Sequence, residues 1–299
     1  MTASGGAVLR READGIAEVV LDRPDAMNAL NTATLVQLTA HFTAIAADPQ
    51  VRVVVLSSAA ERAFCVGADL KERAGMDDAQ IMAQRPVFRA AFGALLALPQ
   101  PAIAAVHGYA LGGGCELALS CDVIVADATS QLGLPEAGVG LVPGCGGTQL
   151  LARRIGPGRA ADMIFSGRRV GADEAHAIGL ADRLVPAGSA RTSALELAGQ
   201  FAANSPVAVR AAKQALRNGA GLSLAAALDV EDAAWRTAAG SADRREGIAA
   251  FAEKRRPVWP SQELTSAQYQ PRDDSAAAQN QPHEAGQAGG RDEGSEARV

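Results

Sequence analysis

The chain has 299 residues, enough for one large α/β domain or two smaller ones with a substantial buried core. Its hydrophobic fraction is 48% and its aromatic fraction only 4%, so Ala, Val, Leu and Ile must build most of that core. Residues 262–299 hold seven acidic residues and three arginines, a net charge of −4 out of −5 for the whole chain. The remaining body is nearly neutral and has no long basic run, which argues against nucleic acid as the main partner.

The cysteine pattern and the apolar segments indicate the cellular compartment in which the protein functions. The four cysteines show no CxxC spacing, and the N-terminal residues contain no apolar signal segment. No stretch approaches the roughly 18 uninterrupted apolar residues that a membrane-spanning helix needs. We therefore expect a reduced, cytoplasmic protein that is not integral to a membrane.

The first elements are a hairpin and a helix. Residues 7–11 and 16–21 are two short apolar segments around Asp14-Gly15, as in two strands joined by a turn. Asn31 or Thr32 can cap a helix that runs to about residue 47. Four apolar side chains recur on one face of this helix and predict its buried side: Leu35, Leu38, Phe42 and Ile45.

The middle of the chain alternates between strands and helices. Residues 51–56, 102–106 and 123–125 are apolar runs typical of strands buried on both faces. Helical segments lie between them, near residues 79–98 and 115–120, which predicts a mostly parallel sheet. From residue 144 onward the pattern is helical and only residues 182–185 predict a strand. The composition after residue 260 predicts disorder, because too few apolar residues are present to offset chain entropy.

Three consecutive glycines, Gly112 to Gly114, precede a predicted helix that carries Glu116. Glycines at such a position expose backbone N–H groups where the helix dipole favours negative charge, which is how an oxyanion hole is built. A second loop of small residues around Ala68 follows another buried strand, and a Gly/Pro-rich turn carries Glu136. A glycine-rich turn alone also serves close packing, so the prediction depends on the three segments together.

Several motifs in the same order and spacing resemble the crotonase, or enoyl-CoA hydratase/isomerase, family over Val8 to Trp259. They are AFCVGADLKE, GYALGGGCELALSCD, LPEAGVGLVPGCGGTQLL and EAHAIGLADRLVP. The resemblance implies an α/β fold of the ClpP/crotonase type. A ββα spiral core would occupy residues 1–190, a helical oligomerisation region 191–260 and a disordered acidic tail 261–299.

The resemblance also assigns site residues. The N–H groups of Ala68 and Gly113 would bind the thioester oxygen, and Glu116 and Glu136 would flank a water molecule. The substrate-binding residues implied by position are Ala68, Asp69, Leu70, Lys71, Gly113 and Lys254, the last approaching the CoA moiety. His107 and Cys145 have no sequence-visible partner, so we interpret His107 as a packed or hydrogen-bonded loop residue and Cys145 as a small residue in a tight turn.

The activity implied is enoyl-CoA hydration, in fatty-acid or branched-chain acyl-CoA breakdown. Many relatives with other chemistry lack one of the two glutamates, so the presence of both favours water addition. Glu116 would take a proton from water and Glu136 would deliver one to the α-carbon. No metal or other cofactor is expected, since CoA is part of the substrate. The expected assembly is a homotrimer or a dimer of trimers, without nucleic acid or membrane as partner.

Three alternatives remain open. One is an isomerase of the same family, in which a single glutamate moves a proton between two carbons. Another is a methylglutaconyl-CoA type of hydratase, suggested by residues 67–74 and 253–257; that branch includes RNA-binding members, but no lysine-rich helix is present here. The third is a catalytically silent acyl-CoA-binding scaffold.

Overall fold

The structure is a computed structural model that describes residues 6–11 and 13–262. Within those ranges it contains the following strands: β1 Gly6–Arg11, β2 Ile16–Asp22, β3 Val53–Ser58, β4 Ala63–Cys65, β5 Ala102–Val106, β6 Tyr109–Leu111, β7 Val123–Asp127, β8 Gln131–Gly133, β9 Arg169–Gly171 and β10 Arg183–Val185. The helices are α1 Thr32–Ala47, α2 Leu70–Arg73, α3 Asp78–Leu96, α4 Gly113–Ser120, α5 Gly147–Ile155, α6 Pro157–Ser166, α7 Ala172–Ala177, α8 Ala190–Ala202, α9 Pro206–Gly219, α10 Leu224–Ala239 and α11 Ala242–Ala252.

The main sheet has six strands in the order β1-β2-β3-β5-β7-β10. Only the β1–β2 pair is antiparallel, which confirms the predicted hairpin; the other neighbours are parallel. Alternate side chains of β3 enter two separate cores. Val54 and Leu56 pack with α1 and α3, whereas Val53 and Val55 pack with α8. Both faces of the sheet are therefore covered, as its uninterrupted apolar strands require.

Helix α1 forms as the sequence predicts. The Asn31 side chain accepts a hydrogen bond from the Thr34 N–H and caps the helix. The buried side chains of α1 include all four predicted on its apolar face, and each is fully shielded from solvent. Helix α1 is thus held by an N-terminal cap and by one apolar face against the sheet.

A second sheet, which we did not predict, has four strands in the order β4-β6-β8-β9. Each of these strands has three residues, too few to give a clear alternation pattern. The prediction that residues 182–185 are the only strand after residue 144 was wrong, because β9 also lies there. Strands β4, β6 and β8 are parallel, so their carboxyl ends lie at one edge. That edge leads directly into the Ala68 loop, the glycine run and Glu136.

The C-terminal helices fall in the range predicted to be helical. Helix α8 packs on β3, β5 and β7, and α9 pairs extensively with α10. Where the spiral core ends and an oligomerisation region begins stays a prediction. No helix in the described ranges combines the length and apolar character needed to cross a bilayer. The predicted disorder of residues 261–299 lies outside the described residues, apart from residues 261 and 262.

Candidate active site

The Ala68 N–H faces away from the segment that contains Leu30. Leu30 and Ala68 form an isolated parallel bridge, in which the Leu30 N–H donates to the Gly67 carbonyl (2.7 Å) and the Asp69 N–H donates to the Leu30 carbonyl (3.0 Å). This pattern uses the backbone groups on either side of Ala68 and turns its own N–H to the opposite side. Among the backbone hydrogen bonds of the described residues, the Ala68 N–H has no acceptor.

The Gly113 N–H lies beside that of Ala68. Gly113 is the first residue of α4, where an N–H group has no acceptor within the helix. A Cβ placed on Gly113 would lie 3.8 Å from the Ala68 nitrogen and 3.5 Å from the Gly67 Cα. The next residue explains the close approach, because a Cβ on Gly114 would lie 2.0 Å from the Cys65 carbonyl oxygen. Among the described residues the Gly113 N–H also has no acceptor, so the structure brings together two N–H groups without partners in those ranges, as an oxyanion hole requires.

Glu116 lies one turn into α4 and is 2% exposed. Its Oε1 accepts two hydrogen bonds, from the Cys145 N–H (2.6 Å) and the Gly147 N–H (2.8 Å). Burial raises the pKa of Glu116, while these two N–H groups and the nearby Arg85 charge act in the opposite direction. One oxygen is therefore fixed by the backbone, and the carboxyl group is held in a single orientation.

Glu136 lies in a short 3-10 helix, Pro135–Val139, directly after β8. Pro135 at the first helical position presets the backbone there. The Glu136 Oε2 atom is buried and has no hydrogen-bond partner among the described residues. Burial raises the pKa of Glu136 to about 7, and the Glu116 charge adds to the shift. At neutral pH this side chain therefore exists partly as a carboxylic acid.

Both carboxyl groups flank the N-terminus of α4. A Cβ on Gly112 would lie 2.9 Å from Glu136 Oε1, and Glu116 is on the following turn of the same helix. Burial raises the pKa of the Cys115 thiol, the charges of Glu116 and Glu136 both raise it further, and the charge of Glu116 also adds to the raised pKa of Glu136. Two carboxyl groups with different surroundings thus lie beside two N–H donors, an arrangement suited to acid–base chemistry on a substrate whose oxygen becomes negative.

The other residues predicted to bind substrate have different surroundings. The Asp69 side chain caps α2, accepting from the Lys71 N–H (3.1 Å), and pairs with Arg23 at 3.0 Å, so its carboxylate is engaged within the protein. Leu70 is 59% exposed and Lys71 is also exposed, both within three residues of Ala68. Lys254 is exposed and follows α11, which packs on α10. The roles of these residues in acyl-CoA binding stay predictions.

The residues that hold Glu116 were not predicted from the sequence. We interpreted Cys145 as a small turn residue, and the structure shows that its backbone N–H is one of the two donors to Glu116. The signal was present in the run Gly144-Cys145-Gly146-Gly147, which resembles the other glycine-rich segments of the site. His107 was interpreted correctly as a hydrogen-bonded loop residue, since its Nε2 lies 2.7 Å from the Ala60 carbonyl oxygen.

Fold and site together define a scaffold that pairs backbone oxyanion donors with two carboxyl groups. The family model described as enoyl-CoA hydratase/isomerase matches residues 11–262, and the chain belongs to that family. The 2,3-dehydroadipyl-CoA hydratase of Escherichia coli is 45% identical over 240 residues, covering 80% of this chain and 92% of the relative. The short-chain-enoyl-CoA hydratase of Clostridium acetobutylicum is 39% identical over 241 residues, covering 81% of this chain and 92% of the relative. The crystal structure of an enoyl-CoA hydratase from Bacillus anthracis superposes with a TM-score of 0.84 at 41% identity, covering 86% of this chain and 99% of that one.

Proposed function

We propose that this enzyme is an enoyl-CoA hydratase, which adds water reversibly to a trans-2-enoyl-CoA to give a 3-hydroxyacyl-CoA. The observation that carries the proposal is the pair of Glu116 and Glu136 at the N-terminus of α4, next to the Ala68 and Gly113 N–H groups. Relatives with 39% to 45% identity bear the names of hydratases, which supports it.

The proposed chemistry begins at the thioester carbonyl. The Ala68 and Gly113 N–H groups donate to the carbonyl oxygen and stabilise the negative charge that develops when the β-carbon is attacked. Glu116, fixed by the Cys145 and Gly147 N–H groups, orients the water and accepts its proton as the new C–O bond forms.

The second proton comes from the other carboxyl group. Glu136, whose pKa is raised to about 7, donates its proton to the α-carbon, and the thioester carbonyl is restored. The buried Oε2 of Glu136 forms no hydrogen bond with any described residue, so it is suited to this transfer. Water addition moves no electrons to or from an acceptor, so the proposal includes no redox cofactor. Proton exchange with solvent returns both groups to their starting states.

The second candidate is isomerisation of a 3-enoyl-CoA to a 2-enoyl-CoA by one glutamate. The observation that favours it is the same unpartnered Oε2, because one carboxyl group can carry a proton between two carbons. Loss of the enoyl absorbance of crotonyl-CoA separates the candidates. Hydration requires that both E116Q and E136Q lose activity by about 10²- to 10⁴-fold. Conversion of a 3-enoyl-CoA that survives in E116Q would instead support the isomerase.

We also propose that the enzyme acts as a homotrimer or a dimer of trimers. Helix α10 contains no buried residue, although its 16 residues include large apolar side chains. Leu224 is 76% exposed, Leu228 51% and Trp235 67%. A face with this much exposed apolar area is typical of a protein–protein interface.

A further inference from the structure

We infer that Asn28 and Cys65 are positioning residues, which fix the backbone that directs the Ala68 N–H toward the thioester oxygen. The inference rests on the proposed function, in which that N–H is one of two oxyanion donors, and adds to it the side chains that hold the donor in place. We call residues 27–30 the Asn28 segment and residues 65–69 the donor loop.

The Asn28 segment is paired with the donor loop along the backbone. Three hydrogen bonds join them: Leu30 N–H to the Gly67 carbonyl (2.7 Å), Asp69 N–H to the Leu30 carbonyl (3.0 Å) and Val66 N–H to the Met27 carbonyl (3.2 Å). The first two lie on either side of Ala68 and leave its N–H directed away from the Asn28 segment. The direction of the donor therefore depends on the position of the Asn28 segment.

The Asn28 segment has a backbone conformation that L-residues rarely adopt. Met27 and Asn28 both have positive φ, 48° and 56°, a conformation that persists only where the surrounding contacts impose it. The Asn28 Nδ2 donates to Ser58 Oγ (2.7 Å) and to the Phe64 carbonyl (2.9 Å). Its Oδ1 accepts from the Arg23 N–H at 2.7 Å, and the residue is only 2% exposed. A buried amide with every group engaged thus holds the segment against β4, which leads into the donor loop.

The Cys65 thiol connects the Asn28 segment with the residue before Ala68. Its Sγ donates to the Asn28 carbonyl oxygen (3.1 Å) and accepts from the Gly67 N–H (3.4 Å). Cys65 is fully buried, and burial raises the pKa of its thiol to about 12, so the proton needed for donation is retained at neutral pH. The thiol therefore transmits the position of Asn28 to Gly67.

A displacement of Gly67 would disturb both oxyanion donors. Gly67 has a φ of +89°, and a Cβ placed on it would lie 3.0 Å from the Gly113 nitrogen and 2.9 Å from the Leu111 carbonyl oxygen. Gly67 thus packs directly against the backbone that carries the second donor. Two N–H groups stabilise one oxygen only when both are within hydrogen-bond distance of it. Misplacement of the donor loop therefore weakens stabilisation of the transition state more than it weakens substrate binding.

Steady-state hydration of crotonyl-CoA tests both side chains. N28G removes the amide hydrogen bonds, while glycine keeps the positive φ without strain. We expect its kcat to fall by about ten- to a hundred-fold and its KM to change by less than about threefold. C65A removes the thiol link and lowers kcat by about tenfold. C65S, whose hydroxyl donates and accepts as the thiol does, recovers kcat to within about threefold of the wild type.

The matched control is C121A. Cys121 is also a buried thiol that donates to a carbonyl, that of Leu117 at 3.6 Å, but it directly follows the C-terminal end of α4. We expect its kcat to stay within about twofold of the wild type, with circular dichroism showing that each variant is folded. A wild-type kcat in folded N28G would overturn the inference. If N28G does not fold, the Cys65 variants decide: equal kcat values in C65A and C121A, or no recovery in C65S, would overturn it.

Infrared difference spectroscopy measures the donors without turnover, using bound butyryl-CoA with heavy carbon in its thioester carbonyl. Hydrogen bonds to the carbonyl oxygen lower its stretching frequency. We expect a lower frequency in the wild type than in water, with a shift back toward the water value in N28G and C65A but not in C121A. This result would stand even if no enoyl-CoA were hydrated, in which case only the hydratase proposal fails. A frequency that is the same in the wild type, N28G and C65A would overturn the inference and leave hydration unaffected.

Discussion

At the scale of single residues, the proposed mechanism requires that burial and hydrogen bonding make one glutamate a base, Glu116, and the other an acid, Glu136. Glu116 is fixed by two N–H groups that stabilise its charged form, while Glu136 has a buried oxygen without such donors. Burial raises the pKa of Glu136 to about 7, because its buried oxygen has no hydrogen bonds like the two that favour the charged form of Glu116. The surroundings, and not the residue type, assign the two roles.

The pH dependence of kcat/KM tests this division. The pKa of Glu136 is raised, so its protonated form is the proton donor and is lost as pH rises through about 7. We expect kcat/KM for crotonyl-CoA to fall about tenfold per pH unit above that value. The residual activity of E136Q should lack this decline. A wild-type profile that rises or stays flat between pH 7 and 9 would contradict the assignment of Glu136 as the acid.

The sequence predicts Ala68, Gly113, Glu116 and Glu136 as site residues through motifs instead of periodicity, and the structure places them around the N-terminus of α4. The Cys145 and Gly147 N–H groups were not predicted, although the glycine-rich run 144–147 that carries them resembles the other glycine-rich segments of the site. Asn28 was not predicted either, because its side-chain amide donates to residues that are 30 and 36 positions away along the chain. Such contacts depend on loop geometry that local patterns do not encode.

At the scale of elements, the N-terminus of α5 limits where the Glu116 side chain can lie. A Cβ on Gly147 would lie 2.9 Å from Glu116 Oε1 and 2.8 Å from the Pro143 Cβ. We expect G147A to displace the carboxyl group and lower kcat for crotonyl-CoA by about tenfold or more, since small misplacements of catalytic groups are costly. G158A in α6 is the matched control, as nothing lies within 4 Å of its added methyl group. Equal kcat values in the two variants would refute this role of α5.

The end of helix α4, which carries Glu116, is linked to α9 by a charged cluster. Asp122 lies 2.8 Å from Lys213 Nζ and 2.8 Å from Arg217, and Arg217 also donates to the carbonyl of Ser120, the last residue of α4. The Lys213 side chain is 7% exposed, and its Nζ also donates to the Gln100 carbonyl at 2.6 Å. The C-terminal helices therefore contact the active-site helix through fixed polar groups.

Removing the central carboxylate leaves two cations without their partner. We expect D122A to lower the free energy of unfolding by about 3 kcal/mol, because an uncompensated buried charge is costly. D232A, which removes an exposed pair with Arg236 on α10, should change it by less than about 0.5 kcal/mol. Urea unfolding at one fixed protein concentration compares the two variants. Similar values for both would show that the Asp122 cluster contributes no more than a surface pair.

At the scale of the whole molecule, three features of the fold were predictable and one was not. The hairpin, α1 and the parallel strands follow from long, regular apolar patterns, and the structure confirms them. The second sheet does not, because its strands have only three residues each. Yet the parallel strands β4, β6 and β8 bring the three segments of the site to one edge. The motifs therefore predicted what the site contains, and the unpredicted sheet explains how it is assembled.

The exposed face of α10 leads to a prediction about assembly. We expect W235D to shift the protein from a trimer or hexamer to smaller species in sedimentation velocity, since a charge would be buried in an apolar contact. V36D, on the exposed side of α1 where Val36 is 56% exposed, is the control and should leave the sedimentation profile unchanged. A wild-type protein that sediments as a monomer would contradict the proposed assembly.

The central claim is that Glu116 and Glu136 add a solvent molecule to the β- and α-carbons of an enoyl thioester. The most direct measurement is the mass of the product formed from crotonyl-CoA in water enriched in heavy oxygen. We expect a 3-hydroxyacyl-CoA that carries the heavy oxygen and that forms at least about 10²-fold more slowly with E116Q and with E136Q. A thioester that binds but acquires no oxygen from solvent, or labelling at the wild-type rate in both variants, would contradict the claim.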